Sequence, residues 1–115
     1  MAYTLNGRER VEIIETPIFT KRIIDVLSDN EYRQLQWELV LKPESGELIP
    51  SCKGLRKLRW AIPGKGKRGG LRIIYYWYTQ DEKIYMLLPY KKSEQADLTK
   101  TQLKILIEYV KKGVL

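Results

Sequence analysis

The sequence predicts an α+β fold: a small, mainly antiparallel twisted sheet packed against an N-terminal helical hairpin and a C-terminal helix. Three observations carry this. Apolar residues recur at helical spacing between Pro17 and Val40, three runs of β-forming residues follow between Leu55 and Leu88, and helical spacing returns after Thr99. With 115 residues and 43% hydrophobic content, the chain suits a single domain over residues 1–115 with enough apolar material for a core.

Residues 1 to 9 are polar and read as a loose lead-in. Val11, Ile13 and Ile14 fit a short first strand ending near Thr16-Pro17. Phe19, Ile23, Ile24 and Leu27 then lie at helical spacing, and Pro17 suits a first turn, where its missing N–H has no intrahelical partner anyway. Ser28-Asp29-Asn30-Glu31 reads as a capping box: the Ser28 hydroxyl accepts from a free backbone N–H and Glu31 reaches back. Tyr32, Leu35, Leu39 and Val40 form the apolar stripe of the second helix, with Trp37 at its margin. Pro43 stops that helix and Glu44-Ser45-Gly46 turns the chain. So short a break between helices predicts an antiparallel pair lying against the sheet.

In the second half, Leu55–Ala61 alternates in type, Leu71–Tyr78 is almost wholly apolar and aromatic, and Ile84–Leu88 is apolar again. The middle run is placed at the centre of the sheet, covered on both faces, with Tyr75, Tyr76, Trp77 and Tyr78 as core. Gln80-Asp81-Glu82 reads as a hairpin connection. Thr99 caps a last helix carrying Leu103, Leu106, Ile107 and Val110 and closed by Gly113.

Lys and Arg total 21 against 14 Asp and Glu, a net charge of +7 that favours polyanionic partners: nucleic acid, acidic proteins or anionic membranes. The chain has no histidine, hence neither the usual acid/base near neutral pH nor the commonest metal ligand. The lone Cys52 has no disulfide mate and no activating His, and is read as an ordinary thiol in a reducing setting. No apolar run approaches a membrane span, and Met1-Ala2-Tyr3-Thr4-Leu5-Asn6 lacks the apolar stretch of a signal peptide. A cytoplasmic protein without membrane attachment is the expectation.

The chemistry concentrates in Gly54-Leu55-Arg56-Lys57-Leu58-Arg59-Trp60, then Gly64-Lys65-Gly66-Lys67-Arg68-Gly69-Gly70, then Leu71-Arg72-Ile73; no Asp or Glu occurs between Leu48 and Gln80. Strand alternation puts Lys57 and Arg59 on one face and Leu58 and Trp60 on the other. Glycines let the next loop approach a ligand, with Lys65, Lys67 and Arg68 as mobile phosphate contacts, and Arg72 opens the following strand beside it. Fixed cations so arranged suit a phosphodiester, whose pentacovalent transition state gains negative charge. A second cluster, Pro89-Tyr90-Lys91-Lys92-Ser93-Glu94-Gln95, follows the last strand; Lys91 and Lys92 add cations, Tyr90 a base-stacking ring or a proton, and Ser93–Gln95 a polar linker. Each part alone has a plainer reading: a Gly/Lys loop is commonly a solvated hairpin, and edge-strand cations guard against aggregation. Their sum, with acids excluded, favours nucleic-acid contact.

The segments Gly54–Arg59, Gly64–Gly70 and Arg72-Ile73-Ile74-Tyr75-Tyr76 closely resemble the RelE/HigB toxins of bacterial toxin–antitoxin pairs, most strongly the HigB branch. Tyr90-Lys91-Lys92 with Asp97-Leu98-Thr99 is similar to that family's closing segment, and the order of elements covers almost the whole chain. The resemblance implies an endoribonuclease acting on mRNA in the ribosomal A site, in contact with the ribosome and its rRNA. It also implies a cognate antitoxin, with a helix-turn-helix DNA-binding domain, that silences the toxin. Carried over, the catalytic set falls on Lys57 and Arg59, on Arg72, and on Lys91 or Lys92, of which Lys92 is taken as catalytic together with Tyr90; beside this set, Arg56, Lys65, Lys67, Arg68 and Lys91 are read as RNA contacts. The family's tyrosine near the chain end aligns with Leu98, so Tyr90 is the substitute; some HigB toxins use histidines, which this chain lacks.

The reaction that follows is attack of an RNA 2′-hydroxyl on its adjacent phosphate, with departure of the 5′-oxygen. Like-charge crowding lets Lys57 share in base catalysis, Arg59 and Arg72 clamp the phosphoryl oxygens, and Lys92 or Tyr90 protonates the leaving group. A substrate bent and held by the ribosome relaxes the demand on acid/base groups, since orientation alone supplies about 7–11 kcal/mol in favourable cases. No metal or cofactor is expected, because the basic segment has no clustered carboxylates. Two rivals use the same surface: a non-catalytic RNA- or DNA-binding module, and a groove that captures an acidic protein segment.

Overall fold

A computed structural model describes residues 2–5, 9–62, 70–80 and 82–114. Its strands are β1 (Ala2–Leu5), β2 (Glu9–Glu15), β3 (Glu47–Leu48), β4 (Leu55–Trp60), β5 (Leu71–Tyr78) and β6 (Lys83–Lys91). They form one six-stranded sheet in the order β1-β2-β6-β5-β4-β3. Every pairing is antiparallel except β2 on β6, which is parallel. The helices are α1 (Pro17–Ile23), α2 (Asp29–Leu41) and α3 (Lys100–Tyr109). None of the described helices is long and apolar enough to cross a membrane.

Alternation along the strands divides the core in two. Ile13, Leu58, Ile73, Tyr75, Ile84 and Met86 face α1 and α2 and meet Phe19, Ile23, Leu35 and Leu39. Leu55, Ile74, Tyr85, Leu87 and Leu88 face α3 and meet Leu98, Leu106 and Val110. The sheet is therefore sandwiched, and β6, buried over Ile84–Tyr90, is as central as β5.

The caps form as their residues dictate. Ser28 Oγ accepts from Glu31 N at 3.2 Å while Glu31 Oε1 accepts from Ser28 N at 2.8 Å. Thr99 begins α3 in the same way, with Gln102 as its reciprocal partner. Buried Thr16 caps α1 by accepting from Phe19 N at 3.1 Å and donates its own proton to Leu87 O at 2.8 Å, tying α1 to β6. Gly46 approaches the sheet so closely that a Cβ there would lie 2.7 Å from the Tyr75 ring, and Gly54 turns the chain into β4 at φ +93°.

Four expectations need correction. The lead-in is not loose over Ala2–Leu5: it pairs antiparallel with β2, the ladder compensating for a weak apolar pattern. Glu47–Leu48, assigned to no element from the sequence, adds a short edge strand to β4. Gly113 does not close α3, whose cap residue is Val110; residues 110–114 continue as a wider helical turn. Finally, Pro89, Tyr90 and Lys91 belong to β6 rather than following it. Pro89 is tolerated there because the β2 pairing ends at Met86, beyond which β6 is an edge on that side.

The β5–β6 ladder contains a bulge that matters below. Ile74 pairs with Leu88 and Tyr75 with Met86, which leaves Leu87 as an extra residue on β6. Before it, Ile84 and Met86 face α1 and α2; after it, Leu88 and Tyr90 face α3. The bulge reverses which residues of β6 look toward which layer.

Candidate nucleic-acid interface

Lys57 and Arg59 share a face of β4 with Leu55 of the α3-side core, while Leu58 and Trp60 point into the opposite core. In the ladder Arg59 stands opposite Arg72, and Arg72 opposite Tyr90. Directly paired residues project from the same side, so Arg59, Arg72 and Tyr90 form a row across β4, β5 and β6, about 10 Å from end to end at ordinary strand spacing. Lys57 lies two residues, about 7 Å, from Arg59 along β4. Two guanidinium groups, one ammonium and one phenol thus converge on a single face.

Tyr90 reaches this row only through the bulge at Leu87. Its ring is buried in the α3-side core with Leu88, Leu98 and Leu106, and its Oη makes no hydrogen bond of ordinary geometry among the described residues, although the Asp97 carboxylate is close enough to interact with it. Burial pushes the phenol above its ordinary 10.0; the nearby Asp97 charge raises it further, and Arg72 and Arg59 pull it back in part. The phenol therefore stays protonated at neutral pH, and burial makes it a weaker acid, an effect that the two arginines oppose.

An acid enters where the basic segment has none. Asp97 follows β6 by six residues, yet its Oδ1 lies 3.5 Å from Lys57 Nζ. The same oxygen accepts from Leu98 N at 2.9 Å. That backbone bond is the main reason the carboxyl sits below its ordinary value, with the Lys57 charge next among the lowering influences. Lys57 is therefore not surrounded by cations alone, contrary to the crowding expected from sequence. Spacing from the basic segment does not announce Asp97 as a site residue; its signals are its place in the Asp97-Leu98-Thr99 segment that resembles the family's closing stretch, and its position just before the Thr99 cap. A cleft of about 170 Å³ lies here, lined by Glu47, Lys57, Asp97 and Leu103 among others.

The remaining candidates divide. Lys92 continues from Tyr90 at the end of the row: its N–H bonds to Gly70 O at 3.1 Å and its side chain is exposed. Lys91 pairs with Leu71 of the opposite core, so it leaves the row, and its Nζ stands 3.8 Å from Glu94. Arg56 also faces the α1 and α2 layer. Its Nη1 donates to Gly46 O at 2.8 Å, beside Tyr75, whose Oη accepts from Gly46 N at 2.8 Å and donates to Pro43 O at 2.6 Å. Arg56 thereby fastens the α2–β3 turn instead of joining the row. Lys65, Lys67 and Arg68 lie outside the described residues. Cys52 and Leu98 are buried, and Tyr76, Trp77 and Tyr78 are half-buried against the cores. Among the described residues no cluster of His, Cys, Asp and Glu is arranged to hold a metal ion.

A sandwiched α+β sheet with one cationic face defines the class. No protein-family model matches the chain. Among solved structures it is similar to an alanine double mutant of the E. coli toxin RelE in the free state, with a TM-score of 0.54 and 13% identity, covering 75% of this chain and 87% of that one. The chain has a RelE-like fold.

Proposed function

We propose that the protein is a RelE-type toxin of the HigB branch, a cytoplasmic endoribonuclease that cuts mRNA in the ribosomal A site and is silenced by an antitoxin bearing a helix-turn-helix domain. The row Arg59–Arg72–Tyr90, with Lys57 beside it on the same face, is the observation that carries this reading. Two guanidinium groups about one strand spacing apart grip the non-bridging oxygens of one phosphate and stabilise the charge that gathers there. Lys57 is the residue on this face that shares in removing the 2′-hydroxyl proton. The 2′-oxygen then bonds to phosphorus, and the P–O5′ bond breaks as Tyr90 or Lys92 supplies a proton. The products are a 2′,3′-cyclic phosphate and a free 5′-hydroxyl. Asp97 holds Lys57 in place and yields it when a phosphate arrives.

The test is translation in a ribosome-containing extract with mRNA ends mapped. New ends carrying cyclic phosphate, dependent on ribosomes and lost in Arg72→Ala, are expected. Intact mRNA under bound protein would make the chain a non-catalytic RNA- or DNA-binding module. If Lys57→Gln with Arg59→Gln still arrests growth, the toxicity does not run through this face.

A further inference from the structure

The open edge of β6 carries a second feature. Beyond Met86, where β2 leaves the sheet, a groove of about 460 Å³ runs along β6 between the end of α1 and the start of α3. Its walls are Arg22, Asp25 and Val26 on one side and Gln95 and Gln102 on the other, with Pro89 and Tyr90 between them. Tyr90 also ends the phosphate-gripping row, so the groove begins one strand spacing, about 5 Å, from Arg72. A nucleotide held by its phosphate on Arg72 has its flanking base within reach.

We propose that this groove is a subsite for the nucleobase beside the scissile phosphate, read mainly by the Gln95–Gln102 pair; the inference rests on the endoribonuclease reading above. The two amides are held in a fixed orientation. Gln102 Oε1 accepts from Thr99 N at 2.9 Å and from Gln95 Nε2 at 2.5 Å, and Gln95 Nε2 also donates to Asp97 O at 2.7 Å. Both donor and acceptor ends are thus assigned by the chain itself. Gln95 Oε1 remains as an acceptor and Gln102 Nε2 as a donor, on two bonded side chains that both line the groove. An adjacent donor and acceptor of set polarity is what distinguishes base edges, whereas a phosphate calls for donors only. The mixed charges at the rim, Arg22 with Asp25 and Lys91 with Glu94, likewise fit a base better than a second phosphate. Val26 and Pro89 supply apolar contact for a ring plane, and Arg22, exposed at the end of α1, stacks over it. Because Gln95 also bonds to the Asp97 carbonyl, a base seated here is coupled to the residue that faces Lys57.

The experiment maps cleavage by the full chain on ribosomes programmed with mRNAs that differ only in the bases flanking the cut. It compares the parent with Gln95→Ala and with Arg22→Ala, each checked for folding by thermal melting. Alongside, the side-chain amide signals of Gln95 and Gln102 are followed by NMR as each of the four nucleoside 5′-monophosphates is added. The expected result is a base preference at one flanking position that changes about fivefold or more in Gln95→Ala. Amide shifts that differ between nucleotides should accompany it. Arg22→Ala, which leaves the amide pair and the α3 cap intact, should weaken the preference in the same direction. A rate loss shared equally by all bases in both variants, with unmoved amides, overturns the proposal, as does displacement of the amides by an acidic peptide and not by nucleotides. Base-dependent shifts with no mRNA cleavage would retain the nucleobase subsite and remove the endoribonuclease reading instead.

Discussion

Replacing Tyr90 with Phe separates catalysis from stability in a single substitution. The Tyr90 hydroxyl is buried without a hydrogen bond of ordinary geometry among the described residues, Asp97 standing near it, while its ring packs in the α3-side core. An unsatisfied buried hydroxyl costs about 1–3 kcal/mol, so deleting the oxygen while keeping the ring should stabilise the protein by about 1 kcal/mol. For a domain of this size that is a rise in Tm of about 4 °C, measurable by calorimetry. The gain should be larger in alkali. The folded-state pKa of Tyr90 lies above its ordinary 10.0, so its phenol contributes no loss below that value. Stability then falls as pH rises from the unfolded-state value through the folded one, a decline Tyr90→Phe should lack. Single-turnover cleavage of ribosome-bound mRNA should fall about 100-fold or more, the usual range for losing a general acid, with ribosome binding kept within about twofold. A variant that cuts at the parent rate would refute Tyr90 as the proton donor. A drop in Tm of several degrees would show that the hydroxyl has a structural partner, with Asp97 first in line.

Four further outcomes follow from the same geometry. Arg72→Ala should lower cleavage more than ribosome binding, because Arg72 stands between Arg59 and Tyr90 at the centre of the row; rate and affinity measured together decide this, and equal losses count against a catalytic role. Lys57→Gln with Arg59→Gln should reduce the slope of log affinity against log salt for single-stranded RNA by about 1.4, at about 0.7 for each phosphate no longer neutralised. Arg56→Ala should cost about 1–2 kcal/mol in urea unfolding, because its bonds to the Gly46 and Glu44 carbonyls disappear, and leave that salt slope unchanged. Asp97→Asn should tighten RNA binding at low salt and less so at high salt. The depressed Asp97 carboxyl adds stability above its unfolded-state pKa that is lost as pH falls through the lower folded value; with 72% of the side chain exposed, this amounts to less than about 1 kcal/mol, and acid titration of the variant should lack it.

The helices and most strands were legible because their signals are local. The Ser28 capping box and the run Leu71–Tyr78 each follow from neighbours in the chain. The sharing of one face by Lys57 and Arg59 followed from strand alternation alone. Edge strands β1 and β3 were not legible, since an edge is defined by its partner rather than by its own pattern. The site was half visible: the cations were plain, while the acid among them was hidden by forty residues of separation between Lys57 and Asp97.

The chain's order of residues determined the charge, the absence of histidine, the class of fold and the strands that carry the cations, because composition and short-range periodicity decide these. Only the tertiary structure decided which cations meet. One extra residue at Leu87 turns Tyr90 toward Arg72 and sends Lys91 to the other layer; a change of one in a period of two reverses every later side chain, and that slip exists only in the pairing of β6 with β5. Arg56, two residues after the Gly54 turn, was claimed for a carbonyl of the α2–β3 turn by the same logic of facing surfaces.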